Sequence, residues 1–117
     1  MNQRVVSSHF PYVPVHLQVR DTEADVEALV DSGFDGDIAV AQAVVADGRP
    51  PDGHQYWGLA DGSEVLAPYY LGRVGLGQLG TYAAVFLALG GEPLIGRGLT
   101  DRFTVILDHG RQVIIEP

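Results

Sequence analysis

The chain carries its apolar residues in many short runs of Val, Ile, Leu and Tyr, and 15 glycines and 7 prolines separate these runs. Short apolar runs bounded by Gly and Pro are typical of β-strands joined by turns. The 117 residues are enough for one domain with one core. We therefore predict a turn-rich, mostly β protein in which residues 1–117 form a single domain.

The segment from Tyr12 to Val19 has the clearest strand pattern, because apolar residues alternate with polar ones and with Pro14. A period of two places the apolar side chains on one face of a strand, and Pro14 indicates an edge or an irregularity. Further strands are predicted at the other short apolar runs, residues 26–30, 54–59, 64–71, 74–76, 82–87, 94–96, 103–107 and 112–116. A polar turn is predicted at residues 21–24, and short helical turns at 41–46 and 97–102.

Charge and composition exclude several classes of function. The formal net charge is −8, and an acidic chain repels phosphate backbones, so no nucleic-acid partner is predicted. The chain has no cysteine, which excludes disulfides, a thiol nucleophile and a Cys-based zinc site. The four histidines are scattered without the spacing of a metal site, so no metal is predicted. No apolar run is long enough to span a membrane and no signal peptide is recognisable, so a cytoplasmic protein without a membrane partner is expected.

The strongest candidate for chemistry is Asp31, which ends the apolar run 28–30 and directly precedes Ser32 and Gly33. A carboxylate at the end of a buried strand costs free energy of folding unless it is paired with a cation, hydrogen-bonded or part of a functional site. An Asp-(Ser/Thr)-Gly triplet alone is a weak signal, because average residue usage produces one by chance in about one chain of this size in twenty. A structural turn, in which Asp31 caps backbone donors, remains open beside a catalytic role.

Two other features accompany the Asp31 triplet in the order that a known family shows. An apolar-apolar-Gly-Arg segment, residues 94–97, lies near the C-terminus, and a hairpin with an Asp-Gly tip, residues 57–66, lies between. Together the three motifs resemble the retropepsin-like family, whose members are single-domain aspartic proteases that act as homodimers. The resemblance extends over residues 12–116.

The resemblance implies a fold and an activity. The fold would be a small closed β barrel of the acid-protease (retropepsin) type with one or two short helices. The activity would be that of an aspartic endopeptidase that needs no cofactor, with Asp31 as the catalytic residue and Ser32 and Gly33 supporting its loop. Because the chain has one such loop, the second carboxylate would come from a second copy in a homodimer. The termini, residues 1–8 and 113–117, would interleave across that dimer.

The resemblance also assigns contacts to a peptide or protein substrate and an ion pair within the chain. The ion pair would join Asp35 to Arg97, the alternative being two unrelated surface charges. The hairpin would act as a flap over the substrate, with Trp57 either in the core or at the base of the flap. The substrate contacts would be Gly33, Phe34, Asp35, Ala60, Asp61 and Gly62.

The sequence departs from the family pattern at Gly98, where Asp or Asn is usual, and at Thr100, where Leu is common. Gly98 is expected to weaken the start of the helix that follows residue 96. Residues 75–80 spell the Gly-x-Gly-x-x-Gly fingerprint of dinucleotide sites, but no βαβ unit surrounds them, so a Gly-rich turn is predicted.

A second function remains open for the same fold. The chain could be a non-catalytic module that binds peptides, or that dimerises with its two Asp31 side chains far apart. The distance between the two Asp31 carboxylates in the assembled dimer distinguishes this module from a protease.

Overall fold

The structure is a computed structural model, and it describes residues 3–117. Within this range the chain forms ten strands, two short α-helices and one 3-10 helix. In chain order these elements are β1 (Val5–Ser7), β2 (Tyr12–Val19), β3 (Thr22–Val30), β4 (Ile38–Val40), α1 (Gln42–Val45), β5 (Gly53–Gly58), β6 (Glu64–Gly75), the 3-10 helix (Gly77–Leu79), β7 (Thr81–Ala88), β8 (Leu94–Ile95), α2 (Arg97–Thr100), β9 (Thr104–Asp108) and β10 (Gln112–Glu116).

Six strands close into a barrel in the order β2-β3-β8-β4-β7-β6, and β6 pairs again with β2. The closing contact sets residues 72–75 of β6 beside residues 16–19 of β2. β5 pairs with β6 outside this ring and forms one arm of a hairpin. Most neighbouring strands are antiparallel, but β3 runs parallel to β8, and β4 runs parallel to β7. The mostly β, closed-barrel fold with two short helices that the sequence predicts is confirmed.

The alternating pattern of β2 lines one side of the core. Val13, Val15, Leu17 and Val19 are each no more than 3% exposed, so the strand predicted from period two is confirmed at both ends. Pro14 is tolerated because β2 has only β3 beside it at that point, since pairing with β6 begins two residues later.

β4 lies at the centre of the fold, between β8 and β7. Its three residues are all fully buried, and a strand that is covered on both faces reads as an unbroken apolar run. Ile38 and Val40 share the main core cluster with Ile95 and Leu99. This cluster therefore anchors both the loop that joins β3 to β4, residues 31–37, and the segment that carries β8 and α2.

A separate sheet of three strands gathers the two ends of the described chain in the order β1-β10-β9. Val5–Ser7 pairs antiparallel with residues 113–115 of the same chain, and β9 lies on the other side of β10. Both edges of β10 have partners within this single chain, and the interleaving of the termini across a dimer stays a prediction. Met1 and Asn2, the first residues of the predicted interleaving segment, lie outside the described residues.

The largest error in the predicted strands is the turn at residues 21–24. The chain reverses at Arg20 and Asp21, where Arg20 has a φ of 55°, and β3 already begins at Thr22. Its acidic residues at positions 23, 25 and 27 are exposed and alternate with half-buried ones. Charged residues on the solvent face of a strand resemble the polar residues of a turn in sequence. For this reason the start of β3 was predicted too late in the chain.

Other boundaries also differ from the prediction. β6 continues through residues 72–73, because it pairs there with β2 and β7, whereas the sequence suggested a break. β1 and β4 were not predicted as strands. Residues 77–79 form the 3-10 helix between antiparallel β6 and β7, so the Gly-rich turn predicted for residues 75–80 is confirmed.

Both helices lie inside the predicted segments 41–46 and 97–102, and each is four residues long. Of the helices found in residues 3–117, none is long and apolar enough to cross a membrane.

Candidate active site

Asp31 follows the last residue of β3, at the point where this strand runs beside β8. The parallel pairing sets Leu29 beside Leu94 and Val30 beside Ile95. The ladder continues into the loop, because the backbone N–H of Asp31 donates to the carbonyl of Ile95 at 3.0 Å. The backbone of Asp31 is therefore fixed by the barrel, although its side chain lies outside the core.

The side chain of Asp31 is held by the turn that follows it. The N–H of Gly33 donates to Asp31 Oδ1 at 2.9 Å, and the N–H of Phe34 donates to the carbonyl of Asp31 at 3.2 Å. Asp31 is half-buried, and Ser32 and Gly33 are exposed. Over the described part of the chain, Oδ2 of Asp31 has neither a hydrogen bond nor an ion pair. One carboxylate oxygen is thus oriented by the backbone and the other is available.

Residues 96–98 cross close against the loop 31–37 and tie it down through the backbone. The N–H of Gly96 donates to Asp37, that of Arg97 to Phe34, and that of Gly98 to Gly36, at 2.8–3.0 Å from the three carbonyl oxygens. A Cβ at position 96 would lie 2.2 Å from the carbonyl oxygen of Gly36, so only glycine fits this crossing. Residues 96–98 are therefore held against the loop that carries Asp31.

The predicted ion pair between Asp35 and Arg97 does not form in the single chain. Both side chains are exposed, and among residues 3–117 no ion pair within 4.0 Å joins them. The loop and α2 are instead joined by the backbone bonds at residues 96–98. Because an exposed ion pair contributes little, its absence removes little from the stability of the loop.

Phe34 lies in the core rather than on the loop surface. It is 8% exposed and clusters with Ala39, Ala67 and Leu87. Its ring lies 5.4 Å from that of Trp57, so the loop and the base of the β5–β6 hairpin are in direct contact. This placement gives the Phe34 side chain a supporting role, and it leaves little of that side chain for the substrate contact predicted from the resemblance.

The fold of the chain matches that of a solved structure. The crystal structure of a retropepsin-like aspartic protease from Rickettsia conorii aligns with a TM-score of 0.62, over 99% of this chain and 90% of that chain. The chain has the retropepsin-like fold. The sequence identity in this alignment is 17%, and the similarity is one of fold. No protein-family model matches the chain, and no curated protein matches it.

The β5–β6 hairpin of this fold contains the segment for which the resemblance implies a flap. Its tip closes through the N–H of Leu59 on the carbonyl of Ser63 and the N–H of Gly62 on the carbonyl of Leu59. Asp61 Oδ1 accepts hydrogen bonds from the hydroxyl and the N–H of Ser63, and these bonds lower the pKa of Asp61. Ala60, Asp61 and Gly62 are exposed at the tip, as a substrate contact requires, but the Asp61 carboxylate is already engaged in holding the turn.

A cavity of about 170 Å³ lies between the base of this hairpin and the barrel, lined in part by Asp37, Trp57 and Val85. The Trp57 indole Nε1 is buried and has no hydrogen-bond partner in the residues that the structure describes. Trp57 therefore combines the two predicted positions. It packs against Phe34, and it forms part of the wall of a cavity at the base of the hairpin.

Asp37 is the residue of this region that the sequence analysis missed. Its Oδ2 accepts the N–H of Val85 in β7 at 2.9 Å, and its carbonyl accepts the N–H of Gly96. Asp37 thereby joins the end of the loop 31–37 to two other parts of the barrel. The one nearby signal in the sequence was Gly98, because a residue without a side chain at this position leaves room for the Asp37 carboxylate. Among residues 3–117, no three His, Asp or Glu side chains come together in a way that could hold a metal ion.

Proposed function

We propose that this chain is an aspartic endopeptidase that acts as a homodimer, with one Asp31 carboxylate from each copy. The proposal rests on the hydrogen bonding of the Asp31 carboxylate within a retropepsin-like fold. Its Oδ1 is oriented by the N–H of Gly33, while its Oδ2 has no partner among the described residues. A carboxylate that is fixed by its backbone and open on one oxygen suits proton transfer to and from a bound water.

The chemistry requires a second carboxylate close to the first. Two carboxylates at short range cannot both be ionised, so they share one proton. The ionised carboxylate takes a proton from water as the water oxygen attacks the peptide carbonyl carbon. The protonated carboxyl donates its proton to the carbonyl oxygen. The tetrahedral intermediate then collapses and the C–N bond breaks, as one carboxyl gives a proton to the leaving nitrogen and the other carboxylate takes the proton from one hydroxyl, which restores the shared proton. Neither a metal nor a cofactor takes part.

A homodimer is proposed because the chain contains one Asp-Ser-Gly loop of this kind. A two-fold axis beside the loop would set the two Asp31 side chains face to face. Ser32 and Gly33 are exposed on the same loop, where they can meet the second copy and the substrate backbone. The peptide or protein substrate would lie extended between Gly33, Asp35 and the hairpin tip, and it would hydrogen-bond as an added strand.

A non-catalytic module with the same fold is the second candidate, and one observation favours it. The bond from Gly33 N–H to Asp31 Oδ1 is also what a structural Asp turn forms, without any catalytic use. In that case the fold would bind peptides, or would dimerise, without cleaving a peptide bond.

A cleavage assay distinguishes the endopeptidase from the non-catalytic module. A peptide library is incubated with the native chain and with Asp31→Asn between about pH 4 and pH 7, a range that includes the upper pKa of a carboxylate pair. Native cleavage with a loss of at least about a hundredfold in Asp31→Asn supports the protease, because the asparagine cannot share the proton. Equal cleavage by both excludes Asp31 as the catalyst, and binding without cleavage supports the module.

Asp21→Asn is the matched control, because it makes the same chemical change at the opposite end of β3. Asp21 stands just before Thr22, its side chain is 87% exposed, and it contacts Arg49. We expect this variant to cleave peptides at the native rate.

A further inference from the structure

One face of the sheet formed by β5, β6 and β7 leads away from the candidate active site. Strand pairing sets Trp57 opposite Val65, and it sets Leu71 opposite Val85. Since residues 65 and 71 of β6 are an even number of positions apart, all four side chains lie on the same face. From residue 65 to residue 71 this face extends about 20 Å, at about 3.3 Å per residue, which is enough for about six residues of an extended chain.

Two cavities on this face share Asp37 and Val85 in their linings. The first has a volume of about 170 Å³, lies at the base of the hairpin and is also lined by Trp57. The second has a volume of about 240 Å³ and is also lined by Leu71 and Ala83. Because two residues are common to both linings, the cavities form one continuous groove, named here the outer groove, which begins at the hairpin and ends at Leu71.

Leu71 presents an apolar side chain to the outer groove from a fixed backbone. The side chain is 61% exposed. At this point β6 changes neighbours, because its pairing with β5 ends at Tyr69 and its pairing with β2 begins at Gly72. The Asp52 carboxylate accepts the N–H of Leu71 at 2.8 Å between these two pairings. A ligand that covers Leu71 would therefore bury apolar area without having to order the backbone first.

The outer groove also contains one carboxylate without a cation. Asp37 Oδ2 accepts the N–H of Val85, and among residues 3–117 Asp37 forms no ion pair within 4.0 Å. Arg73 stands farther along the same face, beside Ala83, and lines neither cavity. The chain carries a net charge of −8. A positive charge in the groove would consequently be attracted by the nearby carboxylate and by the field of the whole chain.

We propose that the outer groove binds the part of an extended peptide substrate that lies beyond the loop 31–37 and the hairpin tip, with a lysine or arginine side chain at Asp37 and an apolar side chain on Leu71. The proposal rests on the proposed function for its choice of a peptide, because the groove begins at the hairpin that would cover the substrate. Substrates would thus be selected in part by residues away from the cleaved bond. A second copy of the chain is a poorer occupant, because its own net charge of −8 would be repelled by the carboxylate.

Trp57 can report binding in the outer groove, because it is the only tryptophan of the chain. The probe is a synthetic peptide of about six residues, with one arginine, a leucine on each side of it and serines at the ends. It is titrated into the Asp31→Asn chain, so that no cleavage intervenes, while Trp57 emission and the heat of binding are recorded. We expect saturable binding by both methods. No binding up to about 1 mM by either method would overturn the proposal.

A matched peptide with glutamine in place of arginine tests the charge at Asp37. It should bind at least about threefold more weakly than the arginine peptide, as the loss of a partly exposed ion pair predicts. In the Asp31→Asn/Asp37→Asn chain the two peptides should bind within about 1.5-fold of each other. Asparagine keeps an oxygen for the N–H of Val85, so this variant removes the charge and can keep the hydrogen bond. A preference for arginine that persists without the Asp37 charge would overturn the proposal.

Leu71→Ser tests the apolar contact in the same Asp31→Asn chain. This substitution should weaken both peptides at least about fivefold, because less apolar area is buried. Val6→Ser is the control, since Val6 is a 47% exposed apolar residue of β1 in the terminal sheet, and it should leave both dissociation constants within about 1.5-fold. Equal weakening by the two substitutions, or none by Leu71→Ser, would overturn the proposal. So would a Trp57 emission that changes with the concentration of the chain alone and depends on Leu71, because a second copy would then cover the groove.

The binding measurements also separate this proposal from the proposed function. If the arginine peptide binds with the expected dependence on Asp37 and Leu71 but the native chain cleaves no peptide, the outer groove stands and the protease function fails. If the native chain cleaves peptides, Leu71→Ser should raise KM for the arginine peptide and leave kcat unchanged. Cleavage with the same KM in Leu71→Ser and in the native chain leaves the protease function standing and overturns the outer groove.

Discussion

The carboxylate of Asp37 occupies the space that a side chain at position 98 would fill. A Cβ built on Gly98 would lie 2.1 Å from Asp37 Oδ1 and 3.0 Å from the carbonyl carbon and oxygen of Gly36. The other oxygen of Asp37 accepts the N–H of Val85. The retropepsin-like pattern usually places Asp or Asn at the position of Gly98. In this chain Gly98 leaves room for the carboxylate of Asp37, which comes from the loop 31–37.

The first prediction follows from this shared space. Gly98→Ala should destabilise the fold by about 1–3 kcal/mol, because the new methyl group forces Asp37 or the Gly36 backbone to move. Helix propensity alone would predict a gain of about 1 kcal/mol, so the sign of the change distinguishes packing from propensity. The measurement is the free energy of unfolding from chemical denaturation. A Gly98→Ala variant as stable as the native chain would contradict the prediction.

Two further variants control this measurement. Gly91→Ala adds the same methyl group at an exposed position where no atom lies within 4 Å, and its stability should change by less than about 0.5 kcal/mol. The double variant Asp37→Ala/Gly98→Ala should lose less than the sum of the two single losses, since the residues contact each other.

Local patterns in the sequence were sufficient for much of the barrel. β2 was predicted over its full length because its alternating burial is determined within the strand. The hairpin tip was predicted because Asp61-Gly62 favours a tight turn regardless of the surroundings. The motifs at residues 31–33 and 94–97 were recognised together in the sequence, and backbone hydrogen bonds connect the two segments that carry them.

The features that the sequence did not reveal depend on distant partners. β1 is a strand because it pairs with β10, more than a hundred residues away. The role of Asp37 depends on the absence of a side chain at Gly98 and on the N–H of Val85. The predicted Asp35–Arg97 pair failed for a related reason, since both side chains face solvent while the backbone joins their segments. Such long-range pairing leaves no local pattern in the sequence.

The unpaired indole N–H of Trp57 supports a second prediction. A buried donor without an acceptor costs about 1–3 kcal/mol, so Trp57→Phe should retain or slightly raise the stability of the fold while keeping a ring against Phe34. Trp57→Ala should destabilise it by about 2–4 kcal/mol, because that contact is lost. Thermal unfolding of both variants checks the order, and a Trp57→Phe variant as unstable as Trp57→Ala would contradict it.

The cluster around His16 predicts how stability depends on pH. Hydrogen bonds to Asp25 and Glu23 raise the pKa of His16, and the bond from His16 lowers the pKa of Glu23. The stabilisation from His16 is fully present below its ordinary pKa of about 6.5 and is lost as the pH rises through the raised value. The stabilisation from Glu23 is present above its ordinary pKa and is lost as the pH falls through the lowered one. The contribution of the cluster should therefore be largest between these two ordinary values.

Unfolding measured at about pH 6 and about pH 9 tests this dependence, because the two values lie on either side of histidine titration. The difference in stability between the native chain and His16→Gln should be larger at the lower pH. In the background Glu23→Gln/Asp25→Asn, the same substitution at His16 should show no such trend. A larger difference at the higher pH would contradict the assigned hydrogen bonds.

Gly33→Ala should affect the stability of the fold and the proposed peptidase activity to different extents. Within one chain a Cβ at this position meets only Asp31 Oδ1, at 3.3 Å, so the stability should change by less than about 1 kcal/mol. In the proposed dimer the same methyl group would point at the second loop and the substrate backbone, and it would also displace the carboxylate. Peptidase activity should therefore fall at least about a hundredfold, a loss that a misplacement of about 1 Å can cause. Gly91→Ala is the control for both measurements, and a fully active Gly33→Ala would contradict a close approach at this loop.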